Sequence, residues 1–209
     1  MDGETDHTEI KKDSKPFYCR PYKIPQAYRK AVKIEVDRLI KIGLFTRITE
    51  TELAAPSFVI PKKDGIVRFL SDFRGLNKCI NRPSYHLPLI MELIQSLDSF
   101  EYATTIDLNM GYCAMTLDEQ SQVYCVIILP WGIFRCSMLP MGILVACDIF
   151  QAAMGTLFQD LEHLFVYLDD IITLSSGNFE EYLSEVDEVL SRLLAKGLQV
   201  NSAKSAWAV

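Results

Sequence analysis

Long hydrophobic runs are missing from this 209-residue chain. The longest apolar stretch, residues 123–139, is interrupted by Pro130, Trp131-Gly132 and Arg135, which excludes it as a bilayer-spanning helix. The amino end, Met1-Asp2-Gly3-Glu4, lacks the basic-then-apolar order of a signal peptide. An intracellular protein that does not engage a membrane is expected, with cytoplasm and nucleus both open. The six cysteines (Cys19, Cys79, Cys113, Cys125, Cys136, Cys147) include no C-x-x-C pair and lie near no histidine cluster, so core or free thiols are expected over zinc ligands or disulfides. No internal repeat or long linker is visible. Basic residues are scarce in one part of the chain. Residues 83–209 hold 4 Lys+Arg against 16 Asp+Glu, whereas residues 1–82 hold 17 against 11. The net charge of −6 therefore hides a basic part joined to an acidic one. That asymmetry is expected where one lobe meets phosphates and another holds metal ions, although solvated basic and acidic helices account for part of it. With 49% apolar and 23% charged residues, the chain has the composition of a globular domain or a two-lobed one.

What is present concentrates in residues 163–174, two short apolar runs interrupted by Asp169-Asp170. Runs rich in Val, Ile, Phe, Tyr and Thr predict strands, and Asp favours turns. The pair is therefore expected at a hairpin tip. Neighbouring carboxylates repel, and a buried scaffold makes their ionisation costlier. A divalent cation resolves this, and oxygen donors suit Mg²⁺. An acidic turn in water is the plainer reading of an isolated Asp-Asp, but the apolar flanks on both sides favour a site.

Several further elements follow from periodicity and punctuation. A helix is predicted over residues 25–42, with Tyr28, Val32, Val36, Leu39 and Ile40 on its inner face and Gly43 as the stop. Two apolar runs flank Lys62-Lys63-Asp64-Gly65 and predict a hairpin with lysines at its tip and Arg68 on the returning strand. Such a tip can grip a triphosphate, or simply guard a sheet edge. A helical stripe runs through residues 87–97, then a strand ends at Asp107 before Asn109 and Gly111. An aspartate there is either a metal ligand or a helix cap. Residues 122–138 predict two strands joined at Pro130-Trp131-Gly132, and a helix follows over residues 145–161 with Phe150, Met154, Leu157 and Phe158 inward. A last helix is expected from Asn178, capped with Glu181, with Phe179, Leu183, Val186, Leu190 and Leu193 inward and Gly197 as its end. The fold class expected is α+β with a mainly antiparallel sheet around the acidic centre.

These residues together resemble one family, the reverse transcriptases of LTR retrotransposons, especially the gypsy type. Tyr167-Leu168-Asp169-Asp170 matches its Tyr-x-Asp-Asp box, and Ile106-Asp107-Leu108 with Gly111-Tyr112 matches its first catalytic strand. Leu139-Pro140-Met141-Gly142 and Phe150-Gln151 match its template and nucleotide contact region, while Lys62-Lys63-Asp64-Gly65, Arg68 and residues 72–78 match its fingers. The match runs from about Lys15 to the last residue. The resemblance implies a right-hand polymerase, with fingers at about 1–82 and 115–145, palm at about 83–114 and 146–209, and no thumb. It implies an RNA-directed DNA polymerase that adds dNTPs to a primer 3′-hydroxyl on an RNA or DNA template. By the same resemblance, Asp107, Asp169 and Asp170 would hold two Mg²⁺ ions, with Mn²⁺ a substitute. Lys62 and Arg68 would hold the triphosphate, Tyr112 would lie under the sugar, Met141 and Gly142 would meet the nucleotide, and Lys204 would protonate pyrophosphate.

The chain departs from the family at Val145-Ala146-Cys147, where a small or polar residue, a small residue and then proline are usual, and at Cys113-Ala114, which replaces a larger pair. It also stops before a primer-gripping hairpin, a thumb or an RNase H region, which would be the missing parts of a polyprotein. An alternative expectation is therefore a truncated, catalytically weak or inactive transposon remnant that acts at most as a nucleic-acid-binding or interaction module. A nucleotide cyclase explains the aspartates but not the basic hairpin.

Overall fold

The computed structural model describes residues 9–11, 13, 17–61, 67–82 and 100–208. The chain divides into two compact units, each discontinuous in sequence: residues 84–114 with 147–209, and residues 2–83 with 115–146.

The acidic unit is built on an antiparallel four-stranded sheet in the order β7-β8-β4-β9. Its strands are β4 (Tyr102–Asn109), β7 (Leu164–Tyr167), β8 (Asp170–Ser175) and β9 (Gln199–Val200). Alternation along β4 and β8 drives Ile106, Leu108 and Ile171 inward. Two of the unit's helices are α4 (Ala146–Leu157) and α5 (Phe179–Ala195). Phe150 and Met154 of α4 and Val189 of α5 are fully buried. Asn178 caps α5 as expected: its side chain accepts from the N–H of Glu180 and Glu181, and the Glu181 carboxylate accepts from the Asn178 N–H.

The inner face of α5 differs from the sequence expectation. Tyr182, Val186, Val189 and Leu193 are buried, whereas Phe179 and Leu183 are each 49% exposed. Both stripes share Val186 and Leu193, so periodicity alone does not separate them. Tyr182 decides the rotation, because its buried hydroxyl finds partners in the Thr104 hydroxyl of β4 and the Ala208 N–H. Helix α4 is also shorter than expected, ending at Leu157, where Arg192 donates to the Leu157 carbonyl at 3.1 Å and pairs with Asp160.

The second unit carries a five-stranded sheet in the order β1-β6-β5-β2-β3. Here β1 is Phe45–Ile48, β2 Ala55–Pro61, β3 Val67–Ser71, β5 Val126–Leu129 and β6 Gly132–Cys136. All pairings are antiparallel except β2 with β5. Helix α1 (Gln26–Lys41) buries Val32, Val36 and Leu39, while Ile40, expected inward, is 36% exposed. Two short helices, α2 (Arg74–Cys79) and α3 (Glu119–Tyr124), were not expected, and α3 takes residues 122–124 from the predicted strand. The pairing of Pro61 with Val67 makes residues 62–66 the connection between β2 and β3. That tip, with Lys62, and the predicted helix over residues 87–97 lie outside the described residues.

Candidate active site

Strand register brings the acidic residues of the first unit together. Asp107 of β4 lies opposite Asp170, the first residue of β8, and Tyr167 of β7 also pairs with Asp170. The hairpin tip is therefore Leu168-Asp169 and not the Asp-Asp pair itself. Asp170 opens the returning strand, one residue earlier than the sequence suggested. Leu168 takes a left-handed backbone at φ +55°, which costs a residue with a Cβ. The Asp169 carbonyl accepts from the Leu108 N–H at 3.1 Å, tying the tip to the strand that carries Asp107.

On its other side Asp107 is wrapped by residues that sequence reasoning missed. The Asn201 N–H donates to the Asp107 carbonyl at 2.8 Å, and the Asp107 N–H donates to Ser205 Oγ at 3.2 Å. The turn is closed by the Ser205 hydroxyl and the Lys204 and Ser205 N–H groups, all donating to the Asn201 carbonyl. It presents Lys204, whose Nζ donates to both Asp107 carboxylate oxygens at 3.2 and 3.1 Å. The Asp107 side chain is 22% exposed and that of Lys204 65%. Loss of water around Asp170, then repulsion from Asp169 and Asp107, raises its carboxyl above the ordinary value, with Lys204 acting in the opposite sense.

This donor set suits a hard divalent cation, since it offers carboxylate oxygens that repel one another until a positive charge arrives. Among the described residues, no three acidic, imidazole or thiol side chains already stand at ligating distance. The cation now facing Asp107 is the Lys204 ammonium.

Tyr112 belongs to the same unit, in a single 3₁₀ turn, Gly111–Ala114. It is only 6% exposed. Its ring stacks on Phe150 with centroids 4.6 Å apart, and its hydroxyl donates to Cys147 Sγ at 3.6 Å. Burial first, then Cys147 and the negative charge of Asp169, push its phenol well above the usual range. Gly111 permits this packing, because a Cβ there would stand 2.9 Å from the Phe150 ring. The neighbouring Gln151, placed by resemblance in a ligand-contact region, is 6% exposed and spends its amide on backbone.

The remaining residues fall in the second unit. Arg68 is exposed on β3 opposite Ile60. Met141 is 64% exposed, and Gly142 adopts φ +96°, a backbone that a side chain would strain. The loop is held by Asn77, which donates to the Gly142 carbonyl at 2.9 Å and accepts from the Leu144 N–H at 2.8 Å.

Residues 60–209 match the family profile described as Reverse transcriptase (RNA-dependent DNA polymerase). The chain is 33% identical over 196 residues to an uncharacterised Caenorhabditis elegans protein, covering 92% of this chain and 15% of that one. It is 28% identical over 198 residues to the transposon Tf2-3 polyprotein of Schizosaccharomyces pombe, covering 94% and 15%. The chain thus spans about 15% of the length of these curated relatives. Among solved structures, prototype foamy virus protease-reverse transcriptase superposes with a TM-score of 0.86 at 26% identity, over 93% of this chain and 26% of that one. The foamy viral enzyme in complex with an RNA/DNA hybrid superposes at 0.85 with 26% identity, over 92% and 26%.

Proposed function

The chain belongs to the reverse transcriptase (RNA-dependent DNA polymerase) family, and on that premise we propose that it carries the nucleotidyl-transfer centre of an RNA-directed DNA polymerase. It is related to LTR retrotransposon polyproteins and to foamy virus reverse transcriptase, and the gypsy-type assignment is part of this proposal. The observation that carries the reading is the register pairing of Asp107 with Asp170, next to the Asp169 turn. Two carboxylate-bearing strands meeting at one end form a pre-built acceptor for cationic charge, and phosphoryl transfer needs little beyond positioning and charge stabilisation.

In this reading the acidic unit is the palm and the basic unit the fingers. Asp107, Asp169 and Asp170 would hold Mg²⁺, the ion this family uses, which activates a primer hydroxyl and neutralises the leaving pyrophosphate when bound. Loading requires the Lys204 ammonium to leave Asp107. Lys204 is then free at the mouth of the centre with a proton to give, which fits the donor role assigned to it. Tyr112, fixed by Phe150 and Cys147, offers a rigid floor for a sugar and excludes a 2′-hydroxyl by bulk. Triphosphate binding by Lys62 and Arg68, and nucleotide contact by Met141 and Gly142, are proposed from resemblance. The template, primer and dNTPs are the partners, with the rest of a polyprotein completing the grip on the duplex. An intracellular location is proposed on the same ground.

Primer extension with dNTPs on an RNA template tests the proposal. Asp107→Asn and Asp169→Asn are each expected to lower the Mg²⁺-dependent rate about a thousandfold, equivalent to about 4 kcal/mol of barrier. RNA retention with no extension by the wild type would instead support the non-catalytic remnant, the reading favoured by the departure at Val145-Ala146-Cys147.

A further inference from the structure

Among the described residues β7 is an edge strand, so one side of its backbone has no neighbouring strand to pair with. At the end that leads into the Leu168-Asp169 turn, the unpaired groups are met by one side chain. Gln151 of α4 donates from Nε2 to the Val166 carbonyl at 3.0 Å, and its Oε1 accepts from the Leu168 N–H at 2.8 Å. A primary amide can present a donor and an acceptor side by side, the pair that one residue of an adjoining strand presents with its own N–H and C=O. Gln151 therefore acts as a one-residue surrogate strand, spanning Tyr167 and gripping the backbone on either side of it. It is 6% exposed, and its helix is anchored by Phe150 and Met154, both fully buried. The grip ends on Leu168, the residue held at φ +55°. A strained backbone conformation persists only where its surroundings over-determine it, and the residue after it is Asp169.

We infer that Gln151 is a positioning residue for the Asp169-Asp170 turn: its amide holds Leu168 in the left-handed conformation and so aims the two carboxylates. Beside it, Phe150 supports Tyr112, so one turn of α4 sets both the carboxylate turn and the aromatic floor. The inference rests on the metal-holding role proposed above. It requires that a ligating geometry be maintained from outside the ligands, as residues bonded to metal ligands commonly do, at a cost of roughly 10–100-fold in affinity when lost.

The test uses the whole chain and Mn²⁺ as probe, with free ion counted by electron paramagnetic resonance. Gln151→Met keeps the volume and loses both hydrogen bonds. Gln151→Glu keeps the acceptor for Leu168 but turns a second oxygen on the Val166 carbonyl. Both are expected to weaken Mn²⁺ binding at least tenfold and to speed amide hydrogen exchange at Leu168. With ion in excess they are expected to lower kcat while leaving KM for dNTP within about twofold. Asn178→Ala, which destabilises the same unit through a helix cap whose side chain bonds the Glu180 and Glu181 N–H groups and not the turn, is expected to leave Mn²⁺ affinity unchanged. Mn²⁺ affinity unaltered in either folded Gln151 variant would overturn the inference, as would equal weakening by Asn178→Ala. If the wild type binds no Mn²⁺, or binds it equally after Asp107→Asn and Asp169→Asn, the metal-holding reading fails and this one with it. If wild-type binding depends on those aspartates but not on Gln151, only this inference fails.

Discussion

Around Asp107 three carboxylates share a neighbourhood that one ammonium only partly neutralises. Asp170 bears the excess, since its charge is opposed by lost hydration and by two like charges. Asp170→Asn is therefore expected to raise the melting midpoint of the metal-free protein. Removal of one repulsive charge at a partly exposed site is worth about 0.5 kcal/mol, or about 1–2 °C for a chain of this length. Added Mg²⁺ is expected to stabilise the wild type more than the variant, and calorimetry with and without the ion reads both effects. The aspartates could be found in the sequence because a turn-forming pair between two apolar runs is anomalous. Asn201 and Ser205 could not, because they act through backbone hydrogen bonds that leave no periodic trace. Gln151 was singled out by resemblance as a contact residue, but its bonds to the Val166 and Leu168 backbone were not legible, since they depend on the edge strand that it meets.

At the scale of elements, turn chemistry and caps were legible and rotation about a helix axis was not. The Asn178-Glu181 box and the strand joint at Trp131 stand where composition put them, although the first of the two strands begins only at Val126. The inner face of α5 was misjudged because a buried hydroxyl, not a hydrophobic count, chose between two overlapping stripes. The joint between α4 and α5 rests on charge. Arg192 reaches the last carbonyl of α4 and the Asp160 carboxylate, and holds the Asp160 carboxyl down to about 2 from its ordinary 3.8. A carboxyl whose folded value lies below its unfolded one adds stability above the unfolded value, and that stability is lost as pH falls through the folded one. The wild type is thus expected to lose this contribution between about pH 4 and pH 2. Arg192→Met should flatten that part of a denaturant-midpoint profile against pH, and a variant profile as steep as the wild type's would refute the linkage.

For the molecule as a whole, the charge division follows the compact units more closely than the linear halves. The acidic unit holds 3 Lys+Arg against 14 Asp+Glu, and the other unit 18 against 13. A phosphate backbone is therefore expected to bind through the basic unit, and the affinity to be sensitive to salt. With about four phosphates neutralised, binding of a primer–template duplex should fall about a hundredfold between 50 and 200 mM salt. Filter binding at several ionic strengths measures the slope, and a flat dependence would count against nucleic acid as the ligand of this surface. Among the described residues, no helix is long and apolar enough to cross a membrane. The two-part architecture was visible in the charge counts, but its boundaries were not a matter of composition, because each unit is assembled from separated segments.

That interleaving has a consequence for synthesis on the ribosome. Strand β4 is translated roughly ninety residues before its partner β9 and the Asn201–Ala206 stretch that closes its far side. A nascent chain that has emerged only through α5 presents the Asp107 strand with one flank of its backbone bare, an adhesive surface for other unfinished copies. Premature termination before residue 199 should thus yield insoluble or rapidly degraded product.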